Sequence, residues 1–247
     1  MILASAQTKP NKNRDIKSNL IDHYNLINIA SENQVDLIVF PEMSITGYER
    51  ENALGMAFTE DDLRLEELRQ LSAKKQMILV VGAPILINDD LYIGTFIIKP
   101  DYSISIYTKQ YLHLGEEAFF KSSFDYNPTI RLNNELISFS ICSDIDNPLH
   151  PKTASKIGTT IYVSSIFFTH SGIPDAYKKL SDYANRYKMN ILMSNFCGQS
   201  WGIDAGGQSG FWDEHGKLIA CLNNTDAGLL VVKNVNNTWV GKVIKYE

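Results

Sequence analysis

Apolar and polar positions along this chain switch repeatedly between the two-residue period of strands and the three-to-four-residue period of helices. "ILASAQ" near the start reads as a strand. Ile16, Leu20, Tyr24 and Ile27 then recur at helical spacing and predict an amphipathic helix from Arg14 to Ser31. Leu37 to Phe40 is a short apolar run bounded by Pro41, a second strand. Thr59 followed by Asp62 has the spacing of a capping box and is expected to open a helix with Leu65, Leu68 and Leu71 on one face. "MILVVGAPILI" and "LYIGTFIIK" flank Asn88-Asp89-Asp90, a hairpin signal, and "SISIYT" adds a strand ending at Lys109.

The second half follows a similar plan. "TIRL" and "ELISFSIC" flank Asn133-Asn134 as another hairpin. A short helix around Lys152 to Ile157, the strand "TIYVSS", a long helix from near Pro174 and the strand "NILMSN" come next. The long helix carries Leu180, Tyr183, Ala184 and Tyr187 on one face. "SGFWDEHGKLIAC" predicts a hairpin turning near Gly216, and "GLLVVK" a last strand. Both halves therefore mix β-α-β units with hairpins. That mixture excludes a purely parallel doubly wound sheet and predicts an α/β fold: two mixed sheets packed together with helices outside, a four-layer α-β-β-α sandwich. No linker, repeat or low-complexity segment divides the sequence, so residues 1–247 are expected to form one domain.

Composition narrows the function classes. The chain is 44% hydrophobic, enough for a sizeable core, and its net charge of −5 is mild for 247 residues. It therefore offers no electrostatic footprint for nucleic acid or an anionic membrane. The opening "MILASAQTKPNKNRD" lacks the charged and long apolar regions of a signal peptide. "MILVVGAPILI" is too short to span a bilayer. Cys142, Cys197 and Cys221 are too few and scattered for a disulfide scaffold. Without C-x-x-C or H-E-x-x-H there is little support for a metal site. A reducing cytoplasm is the expected compartment.

Three reactive side chains fall at or just beyond strand ends, where sites gather in open α/β sheets. Glu42 follows "LIVFP", Lys109 follows "SISIYT" and Cys142 ends "LISFSIC", and Glu116-Glu117 lie a few residues after Lys109. A free thiol, with a pKa near ~8.5, is mostly protonated at neutral pH. A neighbouring carboxylate can take its proton. A carboxylate in an apolar cleft needs a partner, which a lysine supplies, and the same ammonium can stabilise the oxyanion formed when a thiolate attacks carbon. The backbone N–H of Ser143 offers a second donor. Taken singly, each has an ordinary explanation: a loop carboxylate, a solvated lysine, a small buried thiol. The five histidines show no spacing that suggests a triad base.

"VDLIVFPEMSITGYE", "YTKQYLHLGEEAFF" and "ISFSICSDIDNP" resemble, in order, the three signature segments of the nitrilase, or carbon–nitrogen hydrolase, superfamily. The opening strand and helix and the late "GGQSGFWDEHGKLIA" hairpin resemble the family too, so the likeness covers nearly the whole chain. It implies the nitrilase-like sandwich and a Glu-Lys-Cys triad: Glu42 as general base, Lys109 as oxyanion stabiliser and Cys142 as nucleophile. It also implies a supporting glutamate, placed at Glu116 with Glu117 as the alternative, no cofactor, a small-molecule substrate and a homodimer or larger homo-oligomer. Ser143 stands where the family often has an aromatic residue and Leu149 where it often has Glu, and "FFKSS" lacks the usual Pro-Gly. The Gly47-Tyr48 turn is expected to fold over the pocket, with Tyr48, Phe119, Phe120, Ser143, Phe167 and Asn195 as candidate lining. The expected activity is amidase-type hydrolysis of a non-peptide C–N bond in an amide or carbamoyl compound, with a true nitrilase as the nearest alternative. Two other classes stay open: a redox sensor using Cys142 with Cys197 or Cys221 as resolving thiol, and a non-catalytic binding module.

Overall fold

The computed structural model describes residues 1–10 and 15–246. Its strands form two large mixed sheets, and the chain visits them in turn. The first half lays down β1 (Ile2–Gln7), helix α1 (Ile16–Glu32), β2 (Leu37–Val39), helix α2 (Glu66–Lys75), β3 (Ile78–Ile87), β4 (Asp90–Ile98) and β5 (Ile104–Thr108). The second half builds β6 (Ile130–Leu132), β7 (Glu135–Ile141), helix α3 (Leu149–Lys156), β8 (Ile161–Ile166), helix α4 (Ile173–Tyr187) and β9 (Asn190–Asn195). A small hairpin of β10 (Cys197–Ser200) and β11 (Ile203–Gly206) stands apart from the large sheets. Next come β12 (Gly210–Trp212) and β13 (Leu218–Cys221) in the second sheet. Finally β14 (Gly228–Val235) and β15 (Thr238–Lys245) return to the first sheet.

Each sheet has a parallel trio at its heart. In the first, β1, β2 and β3 run parallel, with β4 and β5 added antiparallel on one side and β14 and β15 on the other. In the second, β7, β8 and β9 run parallel between β6 and the β12–β13 hairpin. The parallel trios explain why the sequence reads as near-continuous apolar runs at these strands: both faces are covered. Leu3, Leu37, Val39 and Val80 belong to one apolar cluster with Ile137, Phe139 and Ile161 of the second sheet. Their neighbours Ala4, Ile38, Phe40 and Leu79 join Leu26 and Ile27 of α1 and Leu68 of α2 in another. The two sheets meet directly at β1 and β9, where the Ser5 hydroxyl donates to the Met193 carbonyl and the Ser194 hydroxyl to that of Ala6. The result is the α-β-β-α sandwich.

Four local expectations change. The first helix begins at Ile16, capped by Asp15 accepting from Ser18 N at 3.2 Å, and Arg14 lies outside the described residues. The Thr59–Asp62 capping box does not form. Thr59 donates instead to Asp61, while Asp62 caps a single turn at Leu63–Leu65, and α2 starts at Glu66 without a side-chain cap. "GLLVVK" is not the last strand: Asn236 and Asn237, at φ 50° and 62°, turn the chain into β15. The β10–β11 hairpin, turned by Trp201 and Gly202 at φ 49° and 74°, has no counterpart among the elements the sequence predicts. Among the described residues, no helix is long and apolar enough to cross a membrane.

Candidate active site

Glu42 follows Phe40 and Pro41 just beyond the end of β2, and its loop is pressed against β3. Phe40 N donates to Val80 O and Ile45 N to Gly82 O, both at 2.9 Å. Between those bonds the loop runs so close to Gly82 that a Cβ there would lie 2.5 Å from Met43 N and 2.8 Å from Pro41 O. Only glycine permits this approach. Ser44 Oγ accepts from Gly82 N and donates to His23 Nε2 at 2.9 Å, while His23 Nδ1 donates to Asn19 O. Burial lowers His23 to about 4, so the ring is neutral and makes both bonds as this tautomer requires. A helix, a loop and a strand thus converge to fix a carboxylate that is 1% exposed.

Lys109 follows β5 and is itself fully buried. Its Nζ lies 2.8 Å from Glu42 Oε1 and 2.9 Å from both oxygens of Glu116. Glu116 belongs to a single helical turn, Glu116–Ala118. Its Oε1 also accepts from the Tyr48 hydroxyl at 2.8 Å and its Oε2 from His113 N at 2.7 Å. Glu117, the alternative, is exposed and bonded to Gly115 N. Glu116 is therefore saturated as an acceptor. Glu42 is not: its Oε2 has no hydrogen-bond partner among the described residues.

Cys142 follows directly on β7 and opens a tight turn, Cys142–Asp146, with its own backbone at φ 45°. That left-handed conformation is strained for a residue with a side chain. Asp144, two residues on, holds it. One Asp144 oxygen accepts from Ile141 N at 2.8 Å and from the Tyr107 hydroxyl at 2.6 Å. The other accepts from Gln110 N and Tyr111 N at 3.0 and 2.9 Å. One buried carboxylate thus staples the cysteine turn to the segment that follows Lys109. Tyr107 in turn accepts from His150 Nε2, and His150 Nδ1 accepts from Tyr162. Burial keeps His150 neutral, which suits that order of donors. Sequence reasoning misses Asp144, Tyr107 and His150. The available signal for Asp144 is its offset of two from the cysteine, an acidic residue in the first turn of a short helix.

Protonation is set by burial and by the neighbouring charges. Glu42 is pushed up to about 7, chiefly by burial and with help from Glu116, against the pull of Lys109. Burial alone would lower Lys109, but Glu42, Cys142 and Glu116 outweigh it and hold the ammonium well above its usual value. The Cys142 thiol is pushed well up, first by burial and then by Glu42 and Glu116. The resting site thus carries a protonated sulfur beside a carboxyl group poised near neutrality.

A cavity of about 360 Å³ opens onto this cluster, lined in part by Glu42, Glu116, Cys142, Tyr48 and Phe167. Cys142 Sγ approaches Phe167 O at 3.8 Å. Of the candidate lining residues, Tyr48 and Phe167 do face the cavity; Phe120, Phe119, Ser143 and Asn195 are not part of its wall. Phe120 is buried in the core, Phe119 is 40% exposed and the Ser143 hydroxyl is committed to Tyr111 O. Asn195 is wholly buried and acts one step back: its side chain accepts from Phe168 N and donates to Phe168 O and Gly207 O, holding the segment that bears Phe167. The wall also includes Arg50, Phe168, Lys179 and Trp201, which the sequence does not single out. Lys179 lies 2.9 Å from Asp146 and 2.5 Å from Asp175.

All three cysteines are free. Cys197 is buried against Thr8 O, and burial pushes its thiol up to about 11, a poor setting for a resolving thiol. Among the described residues, no cluster of His, Cys, Asp or Glu is arranged to hold a metal ion.

A family model described as carbon-nitrogen hydrolase matches residues 2–238. A glutamine-dependent NAD(+) synthetase of Thermotoga maritima is 25% identical over 215 residues. The match covers 83% of this chain but 37% of that protein, so the chain spans about a third of its relative. Among solved structures, a cysteine-to-alanine mutant of the amidase from Nesterenkonia sp. AN1, in complex with butyramide, superposes with a TM-score of 0.84 at 20% identity. The superposition covers 94% of this chain and 89% of that one. A glutamate-to-glutamine mutant of the same amidase, carrying the acetamide moiety of fluoroacetamide on its active-site cysteine, matches with the same score, identity and coverage. At this identity the likeness speaks to the fold.

Proposed function

Because this chain belongs to the carbon-nitrogen hydrolase family, we propose that it is an amidase-type enzyme that cleaves a small amide or carbamoyl compound through a covalent Cys142 intermediate. One observation carries the reading. Two glutamates share a single buried lysine; one of them, Glu116, has both oxygens doubly engaged, and the other, Glu42, keeps an oxygen with no protein partner but the neighbouring Cys142 thiol. A saturated acceptor cannot take a further proton readily, whereas a buried carboxylate near neutrality suits a general base.

On this reading the thiol stays protonated until substrate enters. Glu42 takes the proton as Cys142 Sγ attacks the carbonyl carbon, and the developing oxyanion is met by the Lys109 ammonium and the Ser143 N–H. Glu42 passes that proton to the departing nitrogen as the C–N bond breaks, leaving a thioester. Water then attacks, giving its proton to Glu42. The sulfur leaves and recovers a proton, and the acid is released. Glu116 keeps Lys109 in place throughout.

The test is ammonia release from a panel of short amides, carbamoyl amino acids and nitriles. Glutamine joins the panel because the Thermotoga maritima relative is described as dependent on it. A substrate should leave an acyl mass on Cys142 in the parent, and Cys142→Ala should be folded and inactive. Substantial turnover by that variant would remove Cys142 from the role. Cys197→Ala and Cys221→Ala should each keep most activity.

A further inference from the structure

The cavity mouth carries a cation seated on aromatic rings. Arg50 is only partly exposed, and its guanidinium lies 4.5 Å from the Trp201 ring centroid and 5.4 Å from that of Tyr48. Its Nη1 donates to Leu114 O at 3.3 Å, and its Nε donates to the Tyr48 hydroxyl at 2.7 Å. The same hydroxyl is 2.8 Å from Glu116 Oε1, which lies 2.9 Å from Lys109 Nζ. A continuous file of charge-assisted hydrogen bonds thus runs from the pocket mouth to the buried ion cluster: Arg50, Tyr48, Glu116, Lys109, Glu42.

The direction of this file is fixed by chemistry. A guanidinium donates and never accepts. With Arg50 Nε occupying its lone pair, the Tyr48 hydroxyl has one proton to place, and its remaining close partner is Glu116 Oε1. Burial, with the charges of Glu42 and Glu116, raises Tyr48 far above its ordinary value, so that proton stays on the oxygen. The loop beneath is shaped for the arginine. Gly115 sits at φ 88°, and a Cβ there would come 2.8 Å from Arg50 Nη1. The β10–β11 turn supplies the other wall, with Trp201 held by its Nε1 donating to Glu51 at 2.9 Å.

We infer that Arg50 is a positioning residue for the reaction: by orienting the Tyr48 hydroxyl onto Glu116, it holds Glu116, and through it the Lys109 ammonium, in register with the thiol. This rests on the hydrolase reading above. It assigns to a residue at the pocket mouth an effect on chemistry, not on substrate capture. A neutral amide such as butyramide has no charge for Arg50 to bind, so its hydrolysis isolates that effect.

The experiment is a double-mutant cycle with butyramide as substrate and ammonia release as readout. R50Q should lower kcat roughly tenfold, the scale of one hydrogen bond to a charged network, with KM nearly unchanged. Y48F should lower it by a similar factor. R50Q in the Y48F background should cost nothing further, because the route from Arg50 to Glu116 is already cut. R50K keeps charge and stem, and should recover part of the rate in the parent and none in Y48F. That arm runs the same cycle if R50Q folds poorly. Multiplying losses in the double variant, or a raised KM with intact kcat, would overturn the inference while leaving the hydrolase reading standing. Activity surviving in Cys142→Ala would instead overturn the hydrolase reading itself.

Discussion

Replacing Lys109 by methionine keeps most of the side-chain volume and removes the one charge that Glu42 and Glu116 share. In the parent, Nζ lies 2.8 Å from one carboxylate and 2.9 Å from the other, and all three groups are at most 1% exposed. Breaking a buried ion pair by deleting one member costs about 3–5 kcal/mol, because the orphaned charge stays buried. For a protein of this size that corresponds to a fall in melting temperature of roughly 6–20 °C. The loss should also depend on pH, with a definite sign. Burial already raises Glu42 from 4.5 to about 7, and loss of the lysine raises it further. A carboxyl group raised in the folded state contributes stability below its unfolded value and loses it as pH rises through its folded value. The gap between parent and Lys109→Met should therefore be small near pH 5 and wide near pH 8. Thermal and urea melts of both proteins at the two pH values measure it, with catalysis playing no part. A gap independent of pH, or no loss of stability, would mean that the three groups are not coupled as described.

Three further outcomes follow from the same geometry. The kcat/KM of the parent should rise with pH along an acid limb centred near 7, a value belonging to the coupled cluster; Glu42→Gln should remove that limb and sharply slow alkylation of Cys142 by iodoacetamide, whereas Glu116→Gln should slow turnover with little effect on labelling. Gly82→Ala forces a Cβ to within 2.5 Å of Met43 N, so it should displace Glu42 and depress kcat well beyond any change in KM, measurable on whichever amide proves best. Asp144→Asn cannot accept all four of its bonds and should lower the melting temperature through about 1–3 kcal/mol of unsatisfied buried polar groups; an unchanged melt would show that the staple is not structural.

What the sequence discloses and what it hides divide along physical lines. Glu42, Lys109 and Cys142 are visible because each ends an apolar run, and strand periodicity survives in a linear reading. The family resemblance favours Glu116 over Glu117, but the physical difference comes from the fold, which buries the first against Lys109 and leaves the second in water. The β10–β11 hairpin is invisible because Cys197 to Gly206 is rich in Gly, Ser, Gln and Asp, and its turn is made by a tryptophan at positive φ. Arg50 and Trp201 are hidden with it, since only the fold brings together two residues that lie 151 positions apart in the sequence. Asn195 belongs to the expected neighbourhood without lining it, because it holds the backbone behind Phe167 and does not reach the cavity. The Thr59–Asp62 spacing fails because Asp61 and Arg64, both close in sequence, offer those side chains nearer partners.

The backbone angle of Cys142 has a consequence for how this chain tolerates change. A φ of 45° is a conformation that glycine adopts freely and that any other residue pays for. The strain comes from the Cβ and not the sulfur, so Cys142→Gly should melt higher than Cys142→Ala, by about 1 kcal/mol of relieved strain. On the hydrolase reading, random substitution at this position meets opposed pressures, one from folding toward glycine and one from chemistry toward sulfur. A protein that used this scaffold only to bind would feel the first alone. On the hydrolase reading, sulfur occupies this seat for its chemistry, at a cost to folding that glycine would avoid.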